Sequence, residues 1–196
     1  LGDVYKRQVL VNNYLDMDGL VCISADHYGG AVQATEYLCK LGHCKIGLLS
    51  GRFSPQVSEA RIEGFVKTLA KYDIPVDDRF IADIEPALED GEEIMTRMLR
   101  EVDRPTAFFC TNDTIAAGAM KAVTRAGLRV PEDIAIIGFD DSYISRVVEP
   151  ELATVRIDAA KMGCLAMQTL FDLIAGMPVE KAHIQIPTEL IVRGTA

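Results

Sequence analysis

Apolar positions along this chain fall into two alternating kinds of segment. Short continuous apolar runs recur at Val9-Leu10-Val11, Leu20–Ser24, Lys45–Leu49, Thr106–Thr111, Ile134–Ile137 and Ala153–Arg156. Runs of that kind suit strands covered on both faces, as in parallel sheets. Between them lie stretches of helical composition at Tyr28–Lys40, Glu59–Lys71, Leu88–Glu101, Asp113–Arg125 and Asp158–Ile174. Glu59–Lys71 puts Ile62, Phe65, Val66 and Leu69 on one face, as an amphipathic helix requires. Asp26 stands where an N-cap would, and Gly42 and Gly127 stand where helices stop. The acidic first turn of Leu88–Glu101 suits the positive end of a helix dipole. Arg79–Ala82 is a weaker strand, Val179–Glu180 a turn, and Ile184–Ile186 and Leu190–Arg193 closing strands. Strands alternating with helices predict right-handed βαβ units and a mostly parallel sheet.

The chain has 196 residues, 49% of them hydrophobic, enough to fill one large core or two small ones. No apolar run is long enough to cross a bilayer as a helix. The net charge of −9 gives no attraction for nucleic acid, whose binding rests on cations neutralising phosphates. Five cysteines (Cys22, Cys39, Cys44, Cys110, Cys164) are scattered, with no C-x-x-C pair, and read as reduced residues of a cytoplasmic protein. Cys39 and Cys44 flank His43, but a metal there needs two more ligands, and His27 and His183 are remote in sequence. Neither a metal nor another cofactor is expected. The first eight residues lack an initiator Met, and Asp3 to Gln8 back-translates to a sequence resembling a library-preparation adapter. Residues 1–8 are therefore set aside as a scar, which predicts natural chain missing upstream of Val9.

Polar residues cluster where strands end. Lys45–Leu49 leads to a loop and then to Arg61; Thr106–Thr111 ends in Asn112-Asp113; Ile134–Ile137 ends in Asp140-Asp141. Open α/β sheets bind ligands outside the carboxyl ends of their strands. If these strands are neighbours, a guanidinium, an amide and a carboxylate share one sheet edge and can bracket a polyhydroxylated or heteroaromatic molecule. That is a binding set, with no nucleophile–base pair. Enzyme motifs are absent: there is no G-x-S-x-G, no G-x-x-x-x-G-K and no G-x-G-x-x-G after a strand. Structural readings compete at each position. Asp113 reads first as a helix cap, Asn112 could close a turn, Asp141 could be solvated or capping, and Arg61 an ordinary exposed helix residue. Asp26-His27 reads as a cap followed by a surface histidine.

The order of motifs resembles the lactose-repressor/galactose-repressor (LacI/GalR) family of bacterial transcription regulators. The residues that carry it run from Asp26…Gly29-Gly30…Ala34-Thr35-Glu36-Tyr37-Leu38…Leu41-Gly42-His43 through Arg61-Ile62-Glu63-Gly64-Phe65 to Thr111-Asn112-Asp113…Ala116…Gly118-Ala119. They continue with Val130-Pro131-Glu132-Asp133-Ile134, Gly138-Phe139-Asp140-Asp141, Pro150-Glu151-Leu152-Ala153-Thr154-Val155 and Leu190-Ile191-Val192-Arg193. Ala153 replaces a usual Thr, and His27 a frequent Asn.

The resemblance implies a type I periplasmic-binding-protein-like α/β fold of two subdomains. The first would comprise 9–41 and 159–187 and be incomplete; the second would comprise 42–158 and 188–196. It implies a sugar-like small-molecule effector in the cleft between them, contacted by Arg61, Asn112 and Asp140. Ile84 falls near a position where relatives often stack an aromatic, and Asp26 lies in a segment that contacts effector in some members. The resemblance also implies a homodimer, with Ala117 on the Asp113–Arg125 helix and Val147 and Val148 as interface candidates. DNA would be bound only through an N-terminal helix-turn-helix not contained in these residues. A periplasmic sugar-binding protein of a transport system, which shares the fold, is the alternative, and a small-molecule enzyme a third.

Overall fold

A computed structural model describes residues 7–15, 17–179 and 182–196. Residues 1–6 of the expected scar, and Glu180 of the expected turn, lie outside the described residues. Strands and helices alternate as the pattern predicts: β1 (Val9–Val11), β2 (Val21–Ala25), α1 (His27–Lys40), β3 (Ile46–Gly51), α2 (Pro55–Lys71), β4 (Ile81–Ile84) and α3 (Leu88–Met98) come first. They are followed by β5 (Ala107–Cys110), α4 (Asp113–Arg125), β6 (Ala135–Asp140), β7 (Ala153–Arg156), α5 (Ala159–Ile174), β8 (His183–Ile186) and β9 (Glu189–Ile191). The helix expected from Glu59 starts a turn earlier, at Pro55, because proline's missing N–H and fixed φ suit the first helical turn.

The chain divides into two compact units, one ending at Asp26 and resuming over Ile157–Thr188, the other His27–Arg156 with Glu189–Ala196. In the first, β1, β2 and β8 form a parallel sheet with β2 central. Met162 and Ala166 of α5 pack with Ile23, Ala25 and Ile186. In the second, six strands run in the order β4-β3-β5-β6-β7-β9, parallel except for β9, which is antiparallel to β7. The central strands β3 and β5 are buried along their whole lengths. Their continuous apolar runs thus reflect cover on both faces. Successive residues of β5 show the two layers. Phe108 belongs to the core beneath α3 and α4, while Phe109 meets Phe65 of α2 and Phe139 of β6.

Helix α1 was expected in the first unit but belongs to the second. The cause is its packing on α2. A Cβ added at Gly64 of α2 would lie 2.7 Å from the Tyr28 carbonyl oxygen and 2.9 Å from the Ala31 Cβ. Only glycine lets the two backbones approach this closely. Glu36 of α1 also accepts from Lys71 at 2.9 Å and from the Tyr72 hydroxyl at 3.1 Å.

This contact yields a first expectation. Gly64→Ala pushes α1 away from α2 and costs about 1–3 kcal/mol, the usual scale of overpacking, read as a lower urea midpoint at unchanged slope. An unchanged midpoint would mean that the helices separate without cost.

Candidate functional site

Within the six-stranded sheet, strand order reverses between β3 and β5, since β4 returns to the outer side of β3. In open α/β sheets the crevice beside such a switch, at the carboxyl ends of the strands, is where ligands bind. The polar residues picked from the sequence converge there. Arg61, in the second turn of α2, is only 2% exposed, so it is not the exposed helix residue that composition alone allowed. Its guanidinium lies over the Phe139 ring at 3.9 Å and near the Phe53 ring at 5.0 Å. One terminal nitrogen donates to the Thr111 carbonyl, and the other donates to Asp140 Oδ1 at 3.3 Å. Nε and that second nitrogen both reach His27 Nδ1, at 3.4 and 3.2 Å. Of the five N–H donors of an arginine, this leaves one hydrogen on the first terminal nitrogen.

Asn112 caps α4. Its side-chain oxygen accepts from the amides of Thr114 at 2.8 Å and Ile115 at 3.0 Å. With the oxygen so engaged, the amide nitrogen must face the other way, and it donates to Asp140 Oδ2 at 3.4 Å. The sequence reading gave the cap to Asp113. Asp113 instead turns inward, fully buried, because the residue before it already satisfies the helix amides. It accepts from the Thr154 hydroxyl at 2.5 Å and the Ser142 amide at 2.6 Å. Burial pushes its carboxyl up to about 6, against the pull of those hydrogen bonds.

Two neighbouring carboxylates divide the remaining work. Asp140 keeps a third of its side chain exposed, 32%. Burial raises its pKa, while Arg61 and Asn112 draw it down. Asp141, 3% exposed at the side chain, is neither solvated nor a cap. Burial alone would raise it, but Arg156 at 2.8 Å and Arg193 at 2.6 Å hold it at about 2. Arg146 adds a third partner at 3.2 Å. Asp140 and Asp141 are thus turned in two directions, and no group of three or more His, Cys, Asp or Glu side chains that could hold a metal ion occurs among the described residues.

The other expected positions have surroundings of their own. Ile84, at the end of β4, is 7% exposed and belongs to the core with Leu49, Phe80 and Met95. Asp26 closes the first unit; its amide donates to the Ile186 carbonyl at 2.8 Å, and its carbonyl accepts from the Thr188 hydroxyl at 3.2 Å. Ala117 is buried in α4 and Val148 packs against the core, whereas Val147 is 58% exposed. His27, read as a surface residue, is 5% exposed. Its place could have been found from spacing, because His27, Ala31, Ala34 and Leu38 form the buried stripe of α1. The cysteines are free, with Cys22, Cys39 and Cys110 buried. No helix of the described residues is long and apolar enough to cross a membrane.

The model of a family described as the periplasmic binding protein-like domain matches residues 35–196. The chain belongs to that family. It is similar to the HTH-type transcriptional repressor PurR of Pasteurella multocida (strain Pm70), 37% identical over 174 residues, which are 87% of this chain and 52% of the relative. Among solved structures it is similar to a regulatory protein of the LacI family from Chloroflexus aggregans. That likeness has a TM-score of 0.89 and 31% identity, over 95% of this chain and 67% of that one. It is also similar to a LacI family transcriptional regulator from Enterococcus faecium with bound ribose, with a TM-score of 0.86 and 26% identity, over 95% of this chain and 69% of that one. Within the family, the chain is an effector-binding region of the LacI/GalR type. It spans about half the length of the curated relatives it matches.

Two pH-dependent outcomes follow from the carboxylates. Asp141, held at about 2 against an ordinary 3.8, stabilises the fold above about pH 4, and that contribution of roughly 2 kcal/mol is lost as pH falls towards 2. Asp141→Asn should therefore lower the urea midpoint at pH 7 and differ little from wild type near pH 2; an equal loss at both would exclude an ionic role. Asp113 has the opposite sign: raised to about 6 from 3.8, it destabilises the fold as pH rises through that interval. Its carboxyl ¹³C resonance should titrate near pH 6, and a midpoint at or below 4 would contradict its burial.

Proposed function

We propose that this chain is the effector-binding part of a bacterial transcriptional repressor. A small polyhydroxylated molecule binds at the carboxyl edge of the six-stranded sheet and alters DNA binding by a separate helix-turn-helix. The observation that carries this reading is the convergence of Arg61, Asn112 and Asp140 at the strand-order switch, in a chain whose curated relatives are repressors. Asp140 offers carboxylate lone pairs to two hydroxyls, Asn112 orients one of its oxygens, and Arg61 fixes the other and contributes its remaining N–H. Arg61 and Asp140 balance each other's charge, so the wall suits a neutral ligand. Asp26 is proposed as a further contact. For Ile84, burial in the core leaves only an indirect role, supporting the end of β4.

The repressor relatives favour this reading over a transport receptor and over an enzyme. They also support a cytoplasmic location and assembly as a homodimer, with exposed Val147 a better interface candidate than Ala117 or Val148. A net charge of −9 leaves DNA contact to the other module.

The test is a thermal-shift screen of the protein against neutral mono- and disaccharides and purines, followed by titration calorimetry on any hit. Arg61→Ala and Asp140→Ala should each weaken binding by at least about a hundredfold, the cost of stranding a buried charged partner, while circular dichroism stays native. Wild-type affinity in both variants would remove the site from this edge of the sheet.

A further inference from the structure

Arg61 must be held at a defined rotation for its second terminal nitrogen to meet Asp140. Stacking on Phe139 fixes the tilt of the guanidinium plane, but a flat contact leaves rotation within that plane free. The Thr111 carbonyl holds one edge. The opposite edge, formed by Nε and the second terminal nitrogen, is held by His27 Nδ1. A guanidinium has donors and no acceptor, so both contacts require a lone pair on Nδ1. The ring is thereby confined to one tautomer, neutral with its proton on Nε2. That Nε2 is buried and has no hydrogen-bond partner among the described residues.

We propose that His27 is a positioning residue of the effector site, its Nδ1 lone pair locking the Arg61 guanidinium in register with Asp140. The proposal rests on the reading of Arg61 and Asp140 as effector contacts. Its electrostatics are consistent with that geometry. Burial, and after it the Arg61 charge, depress the imidazole to about 3, so it stays an acceptor throughout the neutral range. The other charged groups acting on Arg61 are Asp140 of β6 and Asp113 of α4. Both are carboxylates; Asp140 meets the second terminal nitrogen from its other hydrogen, and neither is bonded to Nε. A protonated His27 would set imidazolium against guanidinium and break the lock. The unpartnered Nε2–H is the cost, a buried donor left unsatisfied. A ring kept in that state at a ligand-facing edge argues that the Nδ1 contact matters more than satisfying Nε2.

The experiment needs no effector. The variants are His27→Leu, which removes the acceptor, and His27→Asn, whose Oδ1 occupies the same position along the side chain as Nδ1. In wild type, Arg61 Nε–H should exchange slowly with water. In His27→Leu it should exchange at least about tenfold faster, and the Asp140 carboxyl should titrate at higher pH as Arg61 leaves it. His27→Asn should restore both. Equal exchange and an equal Asp140 midpoint in wild type and His27→Leu would overturn the proposal, and a His27→Asn variant as loose as His27→Leu would reduce the role to packing. Ring ¹⁵N shifts of wild-type His27 decide the matter even if His27→Leu does not fold. A protonated Nε2 and a bare Nδ1 at neutral pH support the lock, and the opposite tautomer excludes it. These readouts are separate from effector affinity, so a failed lock leaves the Arg61–Asp140 site standing, and a failed site leaves the lock to be judged on its own.

Discussion

At the end of β6 the backbone passes through two consecutive non-glycine residues with positive φ, 108° at Asp140 and 51° at Asp141. L-residues resist this region, at roughly 1–3 kcal/mol each, and the conformation persists only where surrounding groups over-determine it. Here they do. Asp141 is gripped by Arg146, Arg156 and Arg193, and its amide donates to the Thr154 hydroxyl at 3.4 Å. One residue further on, the Ser142 amide is held by Asp113. The reversal sends successive carboxylates apart, Asp141 towards Arg146, Arg156 and Arg193 and Asp140 towards Arg61 and Asn112.

Three carboxylates within one small region therefore hold three protonation regimes. Asp141 is held low by paired guanidinium groups, Asp113 is lifted by burial without a cation in contact, and at Asp140 burial outweighs the draw of Arg61 and Asn112. Charge pairing wins over desolvation at Asp141, where Arg156 and Arg193 both donate directly; the single longer contact from Arg61 does not outweigh burial at Asp140. Asp113 has only hydroxyl and amide donors, which offset part of its desolvation and no more. Gly138 belongs to the same arrangement. A Cβ there would collide with Asp113 Oδ1, so the bare backbone of β6 is what lets the clamp sit behind the turn.

Most of the fold was legible from periodicity, because parallel strands buried on both faces announce themselves as continuous apolar runs. The converging site was legible from strand ends, since Arg61, Asn112 and Asp140 needed only the assumption that their strands are neighbours. What failed has physical causes. The cap expected of Asp113 falls to Asn112 because either residue can cap a helix, and Thr154 and Ser142, distant in sequence, give Asp113 a buried partner set. His27 was misplaced because a polar residue at a helix start reads as solvated, although it sits on the buried stripe of α1. Helix α1 was assigned to the wrong unit because the closeness of its contact with Gly64 depends on a missing Cβ, which carries no hydrophobic signal. Ile84 was placed by analogy of position, and its packing with Met95 of α3 is a tertiary outcome.

The rigidity of this wall also constrains how it can act. Arg61, Asn112 and Asp140 are each held by at least one backbone or side-chain partner within the same unit, so their arrangement is largely set before a ligand arrives. A ligand shifts a conformational equilibrium only by its difference in affinity between the states. An effector touching this wall alone would meet the same three groups in every state and shift nothing, however tightly it bound. Regulation by such a molecule therefore demands contacts beyond the wall, made in one state and lost in another. On the proposed reading, the residues of the six-stranded unit supply recognition and orientation, and the free energy of switching comes from what the other side of the same ligand touches.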